Sequence, residues 1–133
     1  MNKIVEYLNE NQMGTMATIK QGLPKLRPFQ FQFEKDGKFY FVTSNQKEVY
    51  KELTSAGVAA FSVLGKDMKW VRLNGKLKFV NDPELKGYVL EKEKLIKEIY
   101  KSVDNPVFEM FYIYDGEASL HEFAGAVIES AEI

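Results

Sequence analysis

The residues with the clearest chemical meaning are Arg27 and the run Thr43-Ser44-Asn45, with Lys47 and Lys51 just beyond it. Arg27 falls in the same register as Phe29, Phe31 and Phe33, while Gln30, Gln32 and Glu34 alternate to the other side. A guanidinium leading an apolar face is costly to bury unless it meets an anion. Asn45 and Glu48 have the spacing of a capping box, so a helix is expected to start there. Lys47 and Lys51 stand four apart, on one side of that helix. Free amides, hydroxyls and ammonium groups at a helix start suit a phosphate. The plainer reading of these residues is an ordinary cap with solvated lysines; Arg27, which calls for a partner, brings the phosphate reading level with it. Arg27 and Lys47 are therefore expected to converge on one doubly negative group.

The elements that must position them are strands. Leu26–Glu34 and Lys38–Thr43 flank Asp36-Gly37, a two-residue hairpin signal. Pro28 inside the first implies an edge or a bulge. Upstream, Asn2–Asn11 reads as a short amphipathic helix capped by Asn2, and Met13–Ile19 as a strand. Downstream, Val58–Leu64 is nearly all apolar and is expected to be buried on both faces. Met68–Val80 turns Val71, Leu73, Leu77 and Phe79 to a core, with Trp70 and Arg72 on its polar side. Asp82-Pro83 starts a helical stretch running to about Ser102, solvated or broken over Glu91–Lys94. Val107–Tyr114 is an aromatic strand, Asp115-Gly116 a second hairpin turn, and Glu117–Phe123 its return; Ala124–Ile133 carries little signal. About six antiparallel strands with short helices favour a mainly β, Greek-key-like barrel in a single domain, 1–133. A small barrel fills its own interior, so a ligand sits in an outer groove. Aromatic residues on outer faces suggest that a second copy completes it.

Composition removes several classes. A net charge of −1 argues against a polyanion surface, so no nucleic acid is expected despite the Trp70 and lysine mixture. There is no cysteine and one histidine, which leaves little for a metal site or a nucleophilic triad. No apolar run is long enough to span a bilayer, and a cytoplasmic, membrane-free protein is the default expectation.

The chain resembles the FMN-binding split-barrel family related to pyridoxamine 5'-phosphate oxidase. The likeness rests on Arg27-Pro28-Phe29, on Phe39-Tyr40-Phe41 with Thr43-Ser44-Asn45 and Lys47, on Trp70-Val71-Arg72, and on Glu109–Ile113 with Gly116-Glu117-Ala118. It implies a homodimer with FMN between subunits. Arg27, Ser44, Lys47 and Lys51 would grip the phosphate with Thr43 and Asn45 in support. Pro28, Phe29 and Gln30 would line the flavin edge, Trp70 or Arg72 would touch the cofactor, and Tyr114 would arrive from the partner chain. The family's substrate-gripping arginines are missing at Ser119–Phe123, so oxidation of pyridoxamine phosphate is not expected. His121, in that segment, reads as solvated on an exposed hairpin. What the resemblance implies is an FMN-dependent oxidoreductase with an unknown small-molecule substrate or electron donor and unassigned catalytic residues. The alternative is a binding or storage protein for FMN or another planar cofactor, haem or a deazaflavin.

Overall fold

The computed structural model describes all 133 residues. Its elements are α1 (Asn2–Glu10), β1 (Met13–Lys20), β2 (Leu23–Gln30), β3 (Phe33–Lys35), β4 (Lys38–Ser44), α2 (Glu48–Ala56), β5 (Val58–Leu64), β6 (Trp70–Val80), α3 (Pro83–Lys92), α4 (Lys94–Tyr100), β7 (Phe108–His121) and β8 (Val127–Glu132). The strands form one antiparallel sheet ordered β2-β1-β5-β6-β7-β4-β3, with β8 added on β7. The sheet is not closed by a ladder. Its two path ends, β2 and β3, are instead consecutive in the chain and separated only by Phe31 and Gln32. This is the split barrel the sequence implies, with eight strands rather than about six.

That two-residue gap divides the apolar stripe of the first strand. Phe29 and Phe31 pack into the barrel interior with Phe39, Phe41, Phe61 and Phe111, whereas Phe33 joins a second cluster with Tyr40, Val89, Ile96, Tyr100 and Tyr112. The shared face predicted for all three phenylalanines therefore breaks after Phe31. The second cluster forms where α3 and α4 cover the other side of β4 and β7. Its helices start and stop for local reasons: Asp82 accepts the Leu85 amide at 3.1 Å, Pro83 opens α3, and the backbone leaves helical geometry at Glu93. Helix α1 has no side-chain cap; Glu129 of β8, not Asn2, accepts the Ile4 amide at 2.9 Å. The tail thought to carry little signal is thus a strand that also steadies the first helix.

The two Asp-Gly pairs part ways. Asp36 (φ 54°) and Gly37 (φ 77°) make the expected hairpin turn between β3 and β4. Asp115 (φ 49°) and Gly116 instead lie inside β7, where the register against β6 shifts between Asn74 and Lys76. The left-handed backbone that the pair favours is spent on a bulge, which bends a 14-residue strand around the barrel. A Cβ on Gly116 would fall 1.9 Å from the Asn74 carbonyl oxygen, so the bulge excludes any side chain there.

Strand β5 also departs from expectation. Val58 and Leu64 are exposed, so only one of its faces is buried. No helix is long and apolar enough to cross a membrane.

These contacts set opposite signs for two glycine substitutions. Gly116→Ala is expected to lose about 1–3 kcal/mol, because the Cβ meets rigid backbone. Gly87→Ala, within α3 and with its nearest new neighbour at 3.8 Å, is expected to gain up to about 1 kcal/mol. Urea unfolding of both variants measures this; equal effects would contradict the bulge.

Candidate functional site

An open groove of about 260 Å³ runs where the end of β2, the start of β1, the end of β4 and α4 meet. Met13, Pro28, Phe29, Gln30, Gln32, Val42, Thr43, Lys47, Leu95, Ile96, Ile99 and Tyr100 line it. It exists because β2 is an edge strand, where Pro28 removes a donor without breaking the ladder to β1. On the far wall α4 buries Ile96 and Tyr100 but leaves Leu95 and Ile99 open, so its apolar residues are shared between the core and the groove.

Two polar atoms in this lining are buried and have no hydrogen-bond partner, Gln32 Oε1 and Thr43 Oγ1. Everything else about Gln32 is fixed. Its amide donates to the Tyr40 carbonyl at 3.0 Å, its carbonyl accepts from the Lys92 ammonium, and its Nε2 makes a long 3.4 Å contact with the Gln30 carbonyl. Burial holds the Lys92 amine below its ordinary pKa, with the neighbouring Glu93 opposing. An unmet buried polar atom costs about 1–3 kcal/mol, so two in one groove are hard to explain by stability. A hydroxyl and a carboxamide in one groove lining present both donor and acceptor capacity, which suits the edge of a heteroaromatic ring.

Arg27 behaves differently from expectation. Its Nη2 donates to Glu52 Oε1 at 2.6 Å and its Nη1 to Thr18 Oγ1 at 2.7 Å, while Thr18 gives its own proton to the same Glu52 oxygen at 2.5 Å. The anion it calls for is therefore a protein carboxylate on α2. Arg27 and Lys47 do not converge: Lys47 lines the groove, and neither it nor Lys51 has an ion-pair partner within 4 Å. Nor does Asn45 cap the helix. α2 begins at Glu48 after Lys47, and the Asn45 amide crosses to Pro106 and Glu109, at 2.8 Å each. Ser44 is buried, its oxygen accepting from the Gln46 amide at 3.2 Å.

Of the predicted set, Pro28, Phe29, Gln30, Thr43 and Lys47 come together in the groove. Arg72 does not join them within one chain. Pro28, Thr15, Ser62 and Arg72 form one transverse row across β2, β1, β5 and β6, a span of about 14 Å at ordinary strand spacing. Trp70 stacks on His121, ring centroids 4.0 Å apart at 8°, with the Arg72 guanidinium 5.7 Å from the indole. His121 is buried rather than solvated, its ring nitrogens facing Ser119 Oγ (2.7 Å) and the Gly125 carbonyl (3.3 Å). Tyr114 packs on Tyr112 beside the bulge, away from the groove lining. The sequence reading missed Gln32, Met13 and the α4 residues. Gln32 had a signal, a polar residue between Phe31 and Phe33, both of which are buried; α4 had none until its packing was known.

A second groove, about 440 Å³ and largely apolar, crosses the outer face of β1, β5 and β6 through Ala17, Ile19, Pro24, Val58 and Ala60. Leu26 lies exposed alongside it.

The fold is a split barrel, and the chain belongs to the pyridoxamine 5'-phosphate oxidase family, whose sequence model matches residues 1–122. It is similar to a NimC/NimA family protein from Clostridium acetobutylicum at 32% identity, covering 98% of this chain and 90% of that one, with a TM-score of 0.86. General Stress Protein 26 from Bacillus anthracis shares the fold at 14% identity, 98% and 97% coverage and a TM-score of 0.80. A haem-binding protein from Mycobacterium smegmatis does so at 16% identity, 98% and 56% coverage and a TM-score of 0.79. No curated protein matches the sequence closely enough to carry an argument.

The Arg27–Glu52 pair makes a pH prediction. The Thr18 hydroxyl first, and then Arg27, hold the Glu52 carboxyl below its ordinary value of 4.5 against the opposing effect of burial. A carboxyl depressed in this way adds stability that is complete above the unfolded value and lost as pH falls through the folded one. Glu52→Gln is expected to cost about 1–3 kcal/mol at pH 7, with the gap to the wild type closing below pH 4.5. Unfolding curves at pH 7 and pH 3 test this; a constant gap would rule the pairing out.

Proposed function

We propose that this chain binds a planar heteroaromatic cofactor in the β2–α4 groove, FMN foremost, and acts as an FMN-dependent oxidoreductase on a small-molecule substrate or electron donor. The observation that carries the reading is the pair of unmet buried atoms, Gln32 Oε1 and Thr43 Oγ1, beside the free ammonium of Lys47. Those residues fit the polar edge of a flavin, with Phe29 and α4 supplying apolar walls. They fit its phosphate less well, because Arg27 is already taken. When bound, a flavin supplies the redox chemistry itself. The chain's residues orient the ring and exclude water. No carboxylate or histidine lines the groove to serve as a general base, which suits hydride or electron transfer better than hydrolysis.

A homodimer is part of this proposal. Sites for ligands of this size usually enclose about 300–1,000 Å³, and the groove falls short with Met13, Leu95 and Ile99 open at its rim. A second copy seated on the apolar outer face would supply the missing wall and bring Trp70, Arg72 or Tyr114 across. With no arginine at Ser119–Phe123, pyridoxamine phosphate is not the expected substrate. Haem is the second reading, supported by the fold shared with a haem-binding protein.

Titration with FMN should quench flavin fluorescence with micromolar or tighter affinity, on a protein that sediments as a dimer. Thr43→Val should weaken that binding about tenfold while stabilising the cofactor-free protein by about 1 kcal/mol, since it removes an unmet hydroxyl. Unchanged flavin fluorescence together with a shifted haem absorbance would exchange the two cofactors. Reduction of the bound flavin by NADH or NADPH would favour an enzyme; inert flavin would favour storage.

A further inference from the structure

We infer that Glu52 sets the ligand specificity of this site by holding Arg27, so that the groove takes a planar cofactor with little regard to whether it carries a phosphate. The inference rests on the cofactor reading above and goes beyond it in naming the charge class of the ligand. Arg27 directly precedes Pro28, a groove residue, so its backbone stands at the site. Its guanidinium nevertheless turns to α2, where Glu52 and Thr18 close a ring of three short hydrogen bonds. Each member of that ring has its proton or lone pair assigned: Arg27 donates twice, Thr18 accepts once and donates once, and Glu52 Oε1 accepts twice.

An incoming phosphate recruits Arg27 only by displacing Glu52. The side chain of that carboxylate is 8% exposed, and separation would leave it with the Thr18 hydroxyl alone. Leaving that largely buried carboxylate without its guanidinium is costly, so the exchange gives up about as much as it gains. The remaining cations near the site are Lys92, already held by the Gln32 carbonyl and 3.9 Å from Glu93, and the exposed Lys47 and Lys51. Solvated ammonium groups of that kind change affinity by up to about fivefold. A guanidinium free to pair with phosphate would contribute roughly 10- to 150-fold. Glu52 therefore separates a site blind to the phosphate from one that requires it, and its neutral analogue should convert the first into the second.

The test compares dissociation constants of riboflavin and FMN by fluorescence titration of the full-length protein. The wild type should bind the two within tenfold of each other. Glu52→Gln should tighten FMN at least tenfold with riboflavin unchanged. A wild-type preference for FMN above tenfold, lost in Arg27→Ala, would overturn the inference while leaving the cofactor reading in place. Binding of neither flavin would overturn both. Should Glu52→Gln fail to fold, the wild-type ratio alone decides the matter.

Discussion

The fold turns on Phe31 and Gln32, the two residues by which the chain passes from one end of its sheet to the other. Phe31 is fully buried, packed against Phe39 and Phe41 with centroids 6.0 and 5.9 Å away, and its amide donates to the Gln12 carbonyl at 2.8 Å. It anchors the end of the β2 path inside the barrel. Gln32 immediately crosses to β4 through Tyr40, and Phe33 stacks on the Tyr40 ring at 4.6 Å in the other cluster. A sheet that joins its ends by covalent chain rather than by a ladder needs no further strand to close it. The same passage draws a glutamine side chain into the interior, where its oxygen finds no partner. The structural seam and the most polar point of the groove are one feature.

Helix α2 locks a neighbouring part of the barrel by electrostatics rather than by packing alone. It lies over β1, and Glu52 reaches past Thr18 to Arg27 on β2, joining three elements through one carboxylate oxygen. A buried ion pair contributes little net stability against an apolar replacement, but breaking one partner is costly. Its effect here is therefore one of specification. It fixes where α2 sits and so where Lys47 emerges, while withdrawing the one arginine near the groove from any ligand.

Much of this was legible in the sequence, and the rest was not for identifiable reasons. Strand periodicity placed β1, β2, β4, β6 and most of β7, and Asp82-Pro83 placed the start of α3, because each signal is local. Asp36-Gly37 and Asp115-Gly116 carry one signal with two outcomes. Positive φ is a property of the residues, but whether it becomes a turn or a bulge depends on a strand 40 positions earlier. Asn45 has the right neighbours for a cap, yet its amide is claimed by Pro106 and Glu109 across the sheet. Arg27 was correctly read as needing an anion. Which anion it meets follows from α2 lying against β1, and no spacing along the chain encodes that. Leu95 and Ile99 in the groove share the limit: a helical stripe shows which side is apolar, not what covers it.

The apolar surface left open makes one further point about how site and fold depend on each other. Ile19, Leu26, Val58 and Leu64 are all exposed on one face, and the opposite face of β1 and β5 carries Met16, Phe61 and Val63 at full burial. Single exposed leucines are ordinary, but four apolar side chains left open on one face of β1, β2 and β5 suit a second covering layer. In this chain such a layer would rest against the row from Pro28 to Arg72, beside the open rim of the groove. The unmet atoms of Gln32 and Thr43 and the uncovered face of β5 thus lie on adjoining surfaces. A cofactor satisfying the first and a partner covering the second would each raise the affinity for the other, because each orders the wall that the other binds. The proposed dimer would then complete a groove that the single chain, held by its two cores, leaves open at the rim.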